Sequence, residues 1–355
     1  MNAPSSPGQQ TNGQQVPGGQ TGPAYDVVVV GGGAAGLSAA LTLSRARRSV
    51  LVVDAGAPRN APAEHIHNYL GREGTPPAEL LAIGRAEVTS YGGQVVTGTV
   101  KSARRLDRQG SDTRGEFAVA LAAGRCVRAR RLLVTTGLVD ELPAVPGVAQ
   151  RWGRDVLHCP YCHGHEVADQ PVGILATGPM AVHTALMWRQ WSEDVTLFLH
   201  TTAGPCAEQA EQLIARGITV VAGEVVALDV TGDQLTGVRL ASGRLVPRRA
   251  LVVTTGLVTR SQVLESLGVH PVEAKLGELV IGTRAPAEPN GATAVPGVYV
   301  AGNVTDVFAQ VITAAAAGLA VAATINADLI ADDTARAVST RKARSDGNDL
   351  AVTVQ

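Results

Sequence analysis

Short apolar runs, glycine turns and alanine-rich segments alternate along the central part of this 355-residue chain. An apolar run at 25–30 is followed by a glycine-rich turn, by a helical pattern to about Arg45 and by a second apolar run at 49–54. The same order returns over 171–199. Uninterrupted runs rich in Val and Leu are typical of strands buried on both faces of a parallel sheet, so each copy predicts a right-handed βαβ unit.

Two later apolar runs, at 131–137 and 250–256, both end in Thr-Thr-Gly, and each can close the sheet of the unit before it. A further strand and turn at 297–303 precede a helical pattern that begins near Ala309. We therefore predict an α/β fold of two Rossmann-like, three-layer βαβ domains, with the second inserted in the first. The predicted ranges are 25–140 plus 271–332 for the first domain and 141–270 for the inserted domain.

Both ends of the chain differ from this pattern. Residues 1–24 are almost all Gln, Gly, Pro, Ser and Thr, and they cannot bury enough apolar surface to offset the entropy lost on ordering, so we expect disorder. Residues 333–355 are polar and charged, which predicts a frayed tail. The apolar stretch at 311–325 is rich in small residues and too short to span a bilayer, so we expect a buried helix.

Composition narrows the possible functions. The formal net charge of −1 gives no indication of a nucleic-acid or other polyanionic partner. Four cysteines are too few for the disulfide scaffold of a small secreted protein, and residues 1–23 lack the basic start and the apolar run of a signal peptide. We therefore expect a cytoplasmic protein that does not enter the membrane.

The first glycine turn carries a complete dinucleotide-binding motif. Gly31, Gly33 and Gly36 form G-x-G-x-x-G between a strand and a helix, and Asp54 ends the next strand. The glycines permit a tight turn, close approach of a pyrophosphate and close helix–strand packing, and the acid can accept hydrogen bonds from a ribose. A glycine turn without a ligand is the alternative, but the strand, the helix and the acid of the motif are all in place. The predicted cofactor contacts in this region are Gly31, Gly33, Ala34, Ala35, Gly36, Asp54 and Ala55.

The second glycine turn is degraded. Ala176 and Ala181 stand at the positions of the first and third glycines, with Gly178 between them. The next strand runs into His200, where a carboxylate would favour NAD and an Arg would favour the 2′-phosphate of NADP. The sequence leaves NADPH binding open, because this domain either binds the nucleotide or is kept for its shape.

Cys159 and Cys162 lie in the string Cys-Pro-Tyr-Cys-His, which has four interpretations. A redox dithiol uses one thiolate to attack a substrate sulfur and the other to resolve the mixed disulfide. Attachment of c-type haem normally needs export, and a metal site formed by both cysteines with His163 and His165 would strain a tetrahedral cage. Two inert buried thiols are the fourth. We favour the redox dithiol, with His163 as acid/base and no metal, because C-x-x-C lies beside a βαβ pattern.

The order of these motifs resembles that of the thioredoxin reductase family over nearly all of 25–330. The similar parts are the GGGAAG turn, the two Thr-Thr-Gly strands, the CPYC string between them and GVYVAGNVTDVFAQVITAAAAG near the end. The resemblance implies an FAD domain interrupted by a domain that carries the dithiol, and a homodimer. It also implies that Cys162 lies against the flavin and that Cys159 exchanges with the substrate. The further cofactor contacts that we predict are Thr136, Gly137, Gly302, Asn303, Gln310 and Val311.

The chain also departs from an ordinary thioredoxin reductase. Asn303 replaces the family's Asp, which contacts the ribityl chain of the flavin, and His163 stands where the family has an Asp after the dithiol. The His-Arg-Arg stretch that binds the NADPH 2′-phosphate is missing after Leu199. The string Cys-Pro-Tyr-Cys-His-Gly-His-Glu is similar instead to the dithiol oxidases of natural-product pathways, which close disulfides in small molecules of the holomycin and gliotoxin type and pass electrons through FAD to oxygen.

We therefore expect an FAD-dependent dithiol oxidase. A substrate thiolate attacks the Cys159–Cys162 disulfide at Cys159, the second substrate thiol releases the cyclised product, and the electrons pass through FAD to O2 to give H2O2, with His163 moving protons. An NADPH-dependent reductase of a thioredoxin-like protein or of a low-molecular-weight disulfide is the alternative, and a redox-sensing carrier without turnover is a third. The polar stretch at 65–69 either lines the cleft or forms a surface loop, and the sequence favours the loop.

Overall fold

The computed structural model describes residues 22–106 and 117–352, so the predicted disordered segment lies outside the described residues except for 22–24. The strands are β1 (Ala24–Val30), β2 (Val50–Asp54), β3 (Gln94–Thr97), β4 (Val100–Arg105), β5 (Phe117–Leu121), β6 (Cys126–Val134), β7 (Leu138–Glu141), β8 (Val156–Leu157), β9 (Val172–Leu175), β10 (Val195–Phe198), β11 (Thr219–Val221), β12 (Val225–Thr231), β13 (Gln234–Leu240), β14 (Leu245–Pro247), β15 (Ala250–Val253), β16 (Gly256–Thr259), β17 (Val272–Leu276), β18 (Leu279–Arg284) and β19 (Val298–Val300). The helices are α1 (Ala34–Arg45), α2 (Pro77–Ser90), α3 (Val148–Arg151), α4 (Pro160–His163), α5 (Ala181–Trp188), α6 (Ala207–Ala215), α7 (Gln262–Glu265) and α8 (Val311–Val352).

The first domain is built on a sheet in the order β3-β2-β1-β6-β5-β4, with β19 beside β6. β1 pairs in parallel with β2 and β6, and β19 pairs in parallel with β6, whereas β5 pairs antiparallel with β6. Side chains alternate between the two faces of β1. Val27 and Val29 pack with α1 and α8, and Val28 and Val30 pack into a second apolar cluster on the opposite face. Both faces of this sheet are therefore buried, as the uninterrupted apolar runs predict.

The inserted domain has a parallel sheet in the order β11-β10-β9-β15-β8 and a smaller antiparallel sheet of β12, β13 and β14. β9, α5 and β10 form the second βαβ unit, in which β9 and β10 pair in parallel from Val172 opposite Val195. The Trp188 side chain on α5 is fully buried in the core against this sheet. The predicted fold class, two Rossmann-like domains with the second inserted in the first, is confirmed.

A mixed sheet in the order β17-β18-β16-β7 joins the two domains. β7 leaves the first domain and β16 returns to it, and the two strands pair antiparallel. After β16, Val263 and Val269 pack into the core of the first sheet. The chain therefore returns to the first domain before residue 263, whereas the sequence predicts the return at 271. The sequence misses this point because the returning apolar residues lie on one helical turn and a loop, without a periodic pattern.

α8 continues through Val352, so the described part of the predicted frayed tail is helical. Beyond the apolar half of α8, ion pairs hold this helix against β6. Arg130 donates to Asp332 at 2.9 Å and to Asp333 at 2.5 Å, and Arg131 donates to Asp328 at 2.6 Å. Arg130 and Arg131 thus dock the polar part of α8 on the sheet, and the polar composition of the tail does not reveal this docking.

One face of the predicted buried helix at 311–325 packs into the core of the first domain, where Ala322 and Ile325 are fully buried, whereas Leu319 on the other face is 55% exposed. By length and composition alone, the span Val311–Ser345 could cross a membrane, and it is the one such helix among the described residues.

Close contact between α1 and α8 predicts a strong effect of a single methyl group. A Cβ atom at Gly318 would lie 2.0 Å from the Ala35 carbonyl oxygen, so Gly318→Ala must displace α8 from α1. We expect it to lower the free energy of unfolding by about 1–3 kcal/mol, as overpacking generally does. Urea unfolding followed by circular dichroism measures the loss.

Gly84→Ala is the matched control, because a Cβ atom there meets the flexible end of the Leu37 side chain at 3.1 Å. It should leave the urea midpoint near that of the wild type, since Ala also has the higher helix propensity. Equal midpoints for Gly318→Ala and the wild type would contradict the packing described above.

Candidate active site

A cavity of about 960 Å³ lies between the two domains. Its walls come from the carboxyl ends of β1 and β2, from the turn after β6, from the Cys-x-x-Cys segment and from α5. Ligands of open α/β sheets bind at this end of the strands. All the predicted site residues except Gly36 line this cavity, so the structure brings the predicted cofactor contacts and the dithiol together.

The turn between β1 and α1 requires glycine at its first and third motif positions. Gly31 has a φ of +106°, and a Cβ atom at Gly36 would lie 2.0 Å from the Gly31 carbonyl oxygen. At Gly33, in contrast, nothing lies within 4 Å of a Cβ position, and no side chain caps the helix that follows. The free backbone N–H groups at the start of α1 therefore face open space, which is the arrangement that binds a pyrophosphate.

Asp54 is oriented for a ribose at the end of β2. Its Oδ1 atom accepts a hydrogen bond from the Gly32 N–H at 3.1 Å, and the side chain is half-buried beside the turn. This bond fixes the carboxylate and leaves Oδ2 available to accept from a ribose hydroxyl. The geometry of the turn and of this acid thus fits the dinucleotide part of FAD.

Asn303 organises the loop that leads into α8. Its Nδ2 atom donates to the Asp306 carbonyl oxygen at 3.0 Å and to the Ala309 carbonyl oxygen at 2.9 Å. The amide oxygen remains available to a ligand, whereas the amide nitrogen is occupied within the loop. The loop ends at Gln310 and Val311, which line the cavity together with Asn303.

The dithiol lies where β8 ends and the single turn α4 begins. Cys159 precedes the turn and Cys162 lies within it, and each thiol is partly buried. The Cys162 backbone N–H donates to the Cys159 carbonyl oxygen at 3.2 Å, which closes the turn and brings the two side chains together.

The two thiols differ in acidity. The hydrogen bond from Cys162, aided by the backbone N–H groups of Cys162 and Tyr161 and opposed by burial, lowers the pKa of Cys159 to about 7. The same hydrogen bond to Cys159, burial and the negative charge of Cys159 raise the pKa of Cys162 far above its ordinary value. At pH 7 about half of Cys159 is therefore thiolate whereas Cys162 keeps its proton, so Cys159 is the nucleophile of the pair.

Two histidines flank the dithiol. His158 stacks on Trp152 with ring centroids 5.2 Å apart, and its centroid lies 6.4 Å from that of His163. Burial, and then the charge of Arg59, lower the pKa of His158 to about 4. Burial also lowers the pKa of His163, against the opposing effect of Glu166. Both imidazoles are neutral at pH 7 and have a free site for a proton, and the pKa of about 4 makes His158 a weak base.

His158 is a site residue that the sequence analysis missed. The signal that could have revealed it is the symmetry of the string, in which a histidine stands directly before the first cysteine and directly after the second.

The stretch at 65–69 contacts the dithiol segment. Asn68 Nδ2 donates to the Tyr161 carbonyl oxygen, and His67 Nε2 lies 3.4 Å from Glu166 Oε1. His65, Ile66 and His67 also line the cavity. The stretch is therefore a wall of the cleft, and the surface-loop interpretation that the sequence favours is wrong. Nothing local indicates this role, because the contacting residues lie about ninety positions further along the chain.

In the second βαβ unit, the glycine turn has one position that is open to a ligand, whereas the residue that would contact the ribose is bonded within the protein. Nothing lies within 4 Å of a Cβ position at Gly178, so a ligand could approach the backbone there. His200, at the position that would read the ribose, has a φ of +53° and accepts a hydrogen bond from the Val225 N–H at Nδ1, 3.0 Å away. The His200 side chain is thus hydrogen-bonded to the protein backbone, and it does not supply the guanidinium group that a 2′-phosphate favours.

Comparison with known proteins identifies the family. The family model described as pyridine nucleotide-disulphide oxidoreductase matches residues 25–318. The chain belongs to this family. Among solved structures it is similar to HlmI, with 44% identity, a TM-score of 0.83 and coverage of 92% of this chain and 99% of HlmI. An oxidoreductase from Agrobacterium tumefaciens has 35% identity, a TM-score of 0.78 and coverage of 86% of this chain and 99% of the other.

Curated relatives carry the name thioredoxin reductase. Thioredoxin reductase aclD of Aspergillus oryzae is 39% identical over 160 residues, which are 45% of this chain and 50% of the relative. Thioredoxin reductase sirT of Leptosphaeria maculans is 28% identical over 327 residues, which are 88% of this chain and 96% of the relative. The chain spans about half the length of the first curated relatives that it matches. The predicted thioredoxin reductase-like redox enzyme with FAD as its cofactor is confirmed at the level of the family.

The open position at Gly33 predicts a selective effect on FAD. Gly33→Ala adds a methyl group that meets no protein atom within 4 Å but occupies the space of the pyrophosphate. We expect the apoprotein to keep its stability and the dissociation constant for FAD to rise at least about tenfold, or about 1.4 kcal/mol. Titration of apoprotein with FAD, followed by flavin fluorescence, measures the change. Gly178→Ala, equally open but in the second turn, should bind FAD as the wild type does; unchanged FAD affinity in Gly33→Ala would contradict the assignment.

The unequal thiols predict selective alkylation. In the reduced enzyme, iodoacetamide should modify Cys159 first, with a rate that rises with pH through a midpoint near 7, because the thiolate is the reacting form. Peptide mass spectrometry after short exposures identifies the modified cysteine. Cys162→Ser should keep the reactive thiol, and Cys159→Ser should remove it. Faster modification of Cys162 than of Cys159 would reverse the assignment.

Proposed function

We propose that this protein is an FAD-dependent dithiol oxidase that closes a disulfide in a small-molecule dithiol. The observation that carries the proposal is the dithiol flanked by two neutral histidines, His158 and His163, in the cavity that also contains the predicted FAD contacts. Such a site can deprotonate two incoming thiols beside an exchanging disulfide. The engaged side chain of His200 further supports chemistry without a nicotinamide cofactor.

The proposed reaction starts from the disulfide form of Cys159 and Cys162. A substrate thiol loses its proton to a flanking histidine, and its sulfur attacks the Cys159 sulfur. The Cys159–Cys162 bond breaks, and its electron pair stays on the Cys162 sulfur, which takes up a proton. The second substrate thiolate then attacks the substrate sulfur of the mixed disulfide. Cys159 departs as a thiolate, which its low pKa favours, and the cyclic product is released.

The two cysteines then hold the electron pair that the substrate has lost. FAD, when bound, supplies a two-electron acceptor that can pass the pair to O2 with formation of H2O2. The contribution of the protein is to keep the Cys162 proton and the Cys159 charge separate, and His163 can take that proton when the disulfide forms again.

A second candidate function is NADPH-dependent reduction of a thioredoxin-like protein or of a low-molecular-weight disulfide. The open backbone at Gly178 favours it, and so does the name thioredoxin reductase carried by the curated relatives. Our proposal also includes a cytoplasmic location, which we base on the low cysteine content, and a homodimer, which we base on the family resemblance.

Anaerobic reduction of the flavin distinguishes the two functions. The purified holoenzyme is mixed in separate cuvettes with dithiothreitol, NADPH or NADH, and the flavin absorbance is followed. We expect dithiothreitol to bleach the flavin within the dead time of hand mixing, NADPH to leave it oxidised, and air to restore the colour. Cys159→Ser should not bleach with dithiothreitol. Rapid bleaching by NADPH, reversed by an added disulfide without air, would establish the reductase instead.

A further inference from the structure

A two-point ion pair lines the same cavity as the dithiol and has no part in the reaction described above. Arg59, in the loop after β2, donates from Nε and Nη2 to the two carboxylate oxygens of Asp140 at 2.6 and 2.7 Å. The Asp140 side chain is only 5% exposed and that of Arg59 is 23% exposed. Thr255 Oγ1 donates to the same carboxylate at 2.9 Å. Asp140 lies on β7 and Thr255 directly precedes β16, so both strands that cross between the domains help to hold the Arg59 guanidinium.

Burial of this ion pair is costly, since each charge loses its hydration and a close pair of charges in a protein interior often gives no net stability. Arg59, Asp140 and Thr255 all line the same cavity as the two cysteines. A buried charge that lines a reactive site commonly sets the charge state of its neighbours. The position of the pair therefore indicates a role in the chemistry of the dithiol.

The charge of Arg59 acts on three reactive groups. The interaction with Cys162 is the main cause that lowers the pKa of Cys159, and the charge of Arg59 adds to it; the same charge opposes the rise in the pKa of Cys162. It also lowers the pKa of His158, whereas Asp140 raises it. Besides this pair, His65, His67, His163, His183 and Arg260 line the cavity, and Glu166 lies on the turn after α4. Arg59 and Arg260 are the permanent cations among these groups, and Arg59 is the one whose charge lowers the pKa of Cys159.

We propose that Arg59 is a positioning residue for the thiol–disulfide step, held by Asp140 and Thr255 so that its charge stabilises the Cys159 thiolate. The role rests on the proposed function, because it serves the exchange reaction at Cys159. The guanidinium fork suits this task since Asp140 fixes it at two points, and Thr255 fixes Asp140 in turn.

Alkylation of the reduced holoenzyme with iodoacetamide as a function of pH tests the proposal. Arg59→Gln with Asp140→Asn removes both charges together, so that no unpaired carboxylate is left buried. We expect this double variant to shift the alkylation midpoint of Cys159 upward by about one pH unit and to slow alkylation at pH 6 about tenfold. Arg59→Lys keeps the charge but cannot form the two-point pair, so it should shift the midpoint by less than the double variant does.

Arg239→Gln is the matched control, because Arg239 forms a similar two-point pair with Asp229 on β12, away from the cavity. It should leave the profile unchanged, and the flavin spectrum of each variant reports on its fold. An unshifted midpoint in the folded double variant would overturn the proposal, and so would equal shifts in the double variant and Arg59→Lys. Alkylation needs neither substrate, oxygen nor NADPH, so a failure of this proposal is distinguishable from a failure of the proposed oxidase.

Discussion

The antiparallel pairing of β7 with β16 is the constraint on which the site depends. These strands carry the chain out of the first domain and back, and their register sets Leu257 opposite Asp140. Because the two connecting strands pair side by side, they hold the inserted domain against the first domain. The end of β8 and the start of α4 thereby line the cavity. The dithiol, which belongs to one domain, thereby meets the predicted cofactor contacts, which belong to the other.

Within that frame the chemistry arises from unequal environments of similar groups. The Cys162 thiol and the backbone N–H groups of the turn lower the pKa of Cys159, whereas the interaction with Cys159 and burial raise the pKa of Cys162. The flanking histidines lose their charge through burial. A thiolate beside neutral bases is suited to repeated proton and sulfur exchange at neutral pH, and the same burial limits the access of water to the reacting sulfurs.

The parts of the fold that could be predicted are those with a local signature. The βαβ units follow from uninterrupted apolar runs, and the G-x-G-x-x-G turn follows from steric demands at Gly31 and Gly36 that only glycine meets. The dithiol could be predicted because the Cys-x-x-Cys spacing is also a local signature. Arg59 and Asp140 lie 81 positions apart, and a single charged residue in a loop has no periodic signature, so only the packed structure brings them together. The return at β16 and the cleft wall at 65–69 were missed for similar reasons, since both depend on contacts distant in sequence. The helical end of α8 likewise depends on Arg130 and Arg131, which lie about two hundred positions before it.

The central claim is that substrate thiols supply the electrons and oxygen receives them. The most direct measurement is the aerobic turnover of dithiothreitol by the purified holoenzyme without any nicotinamide cofactor, with oxygen uptake, peroxide and cyclic disulfide quantified in the same reaction. The account predicts sustained turnover in which each disulfide formed is matched by one oxygen consumed and one peroxide produced. No turnover under these conditions, with turnover restored by NADPH and a disulfide acceptor and no peroxide formed, would contradict it.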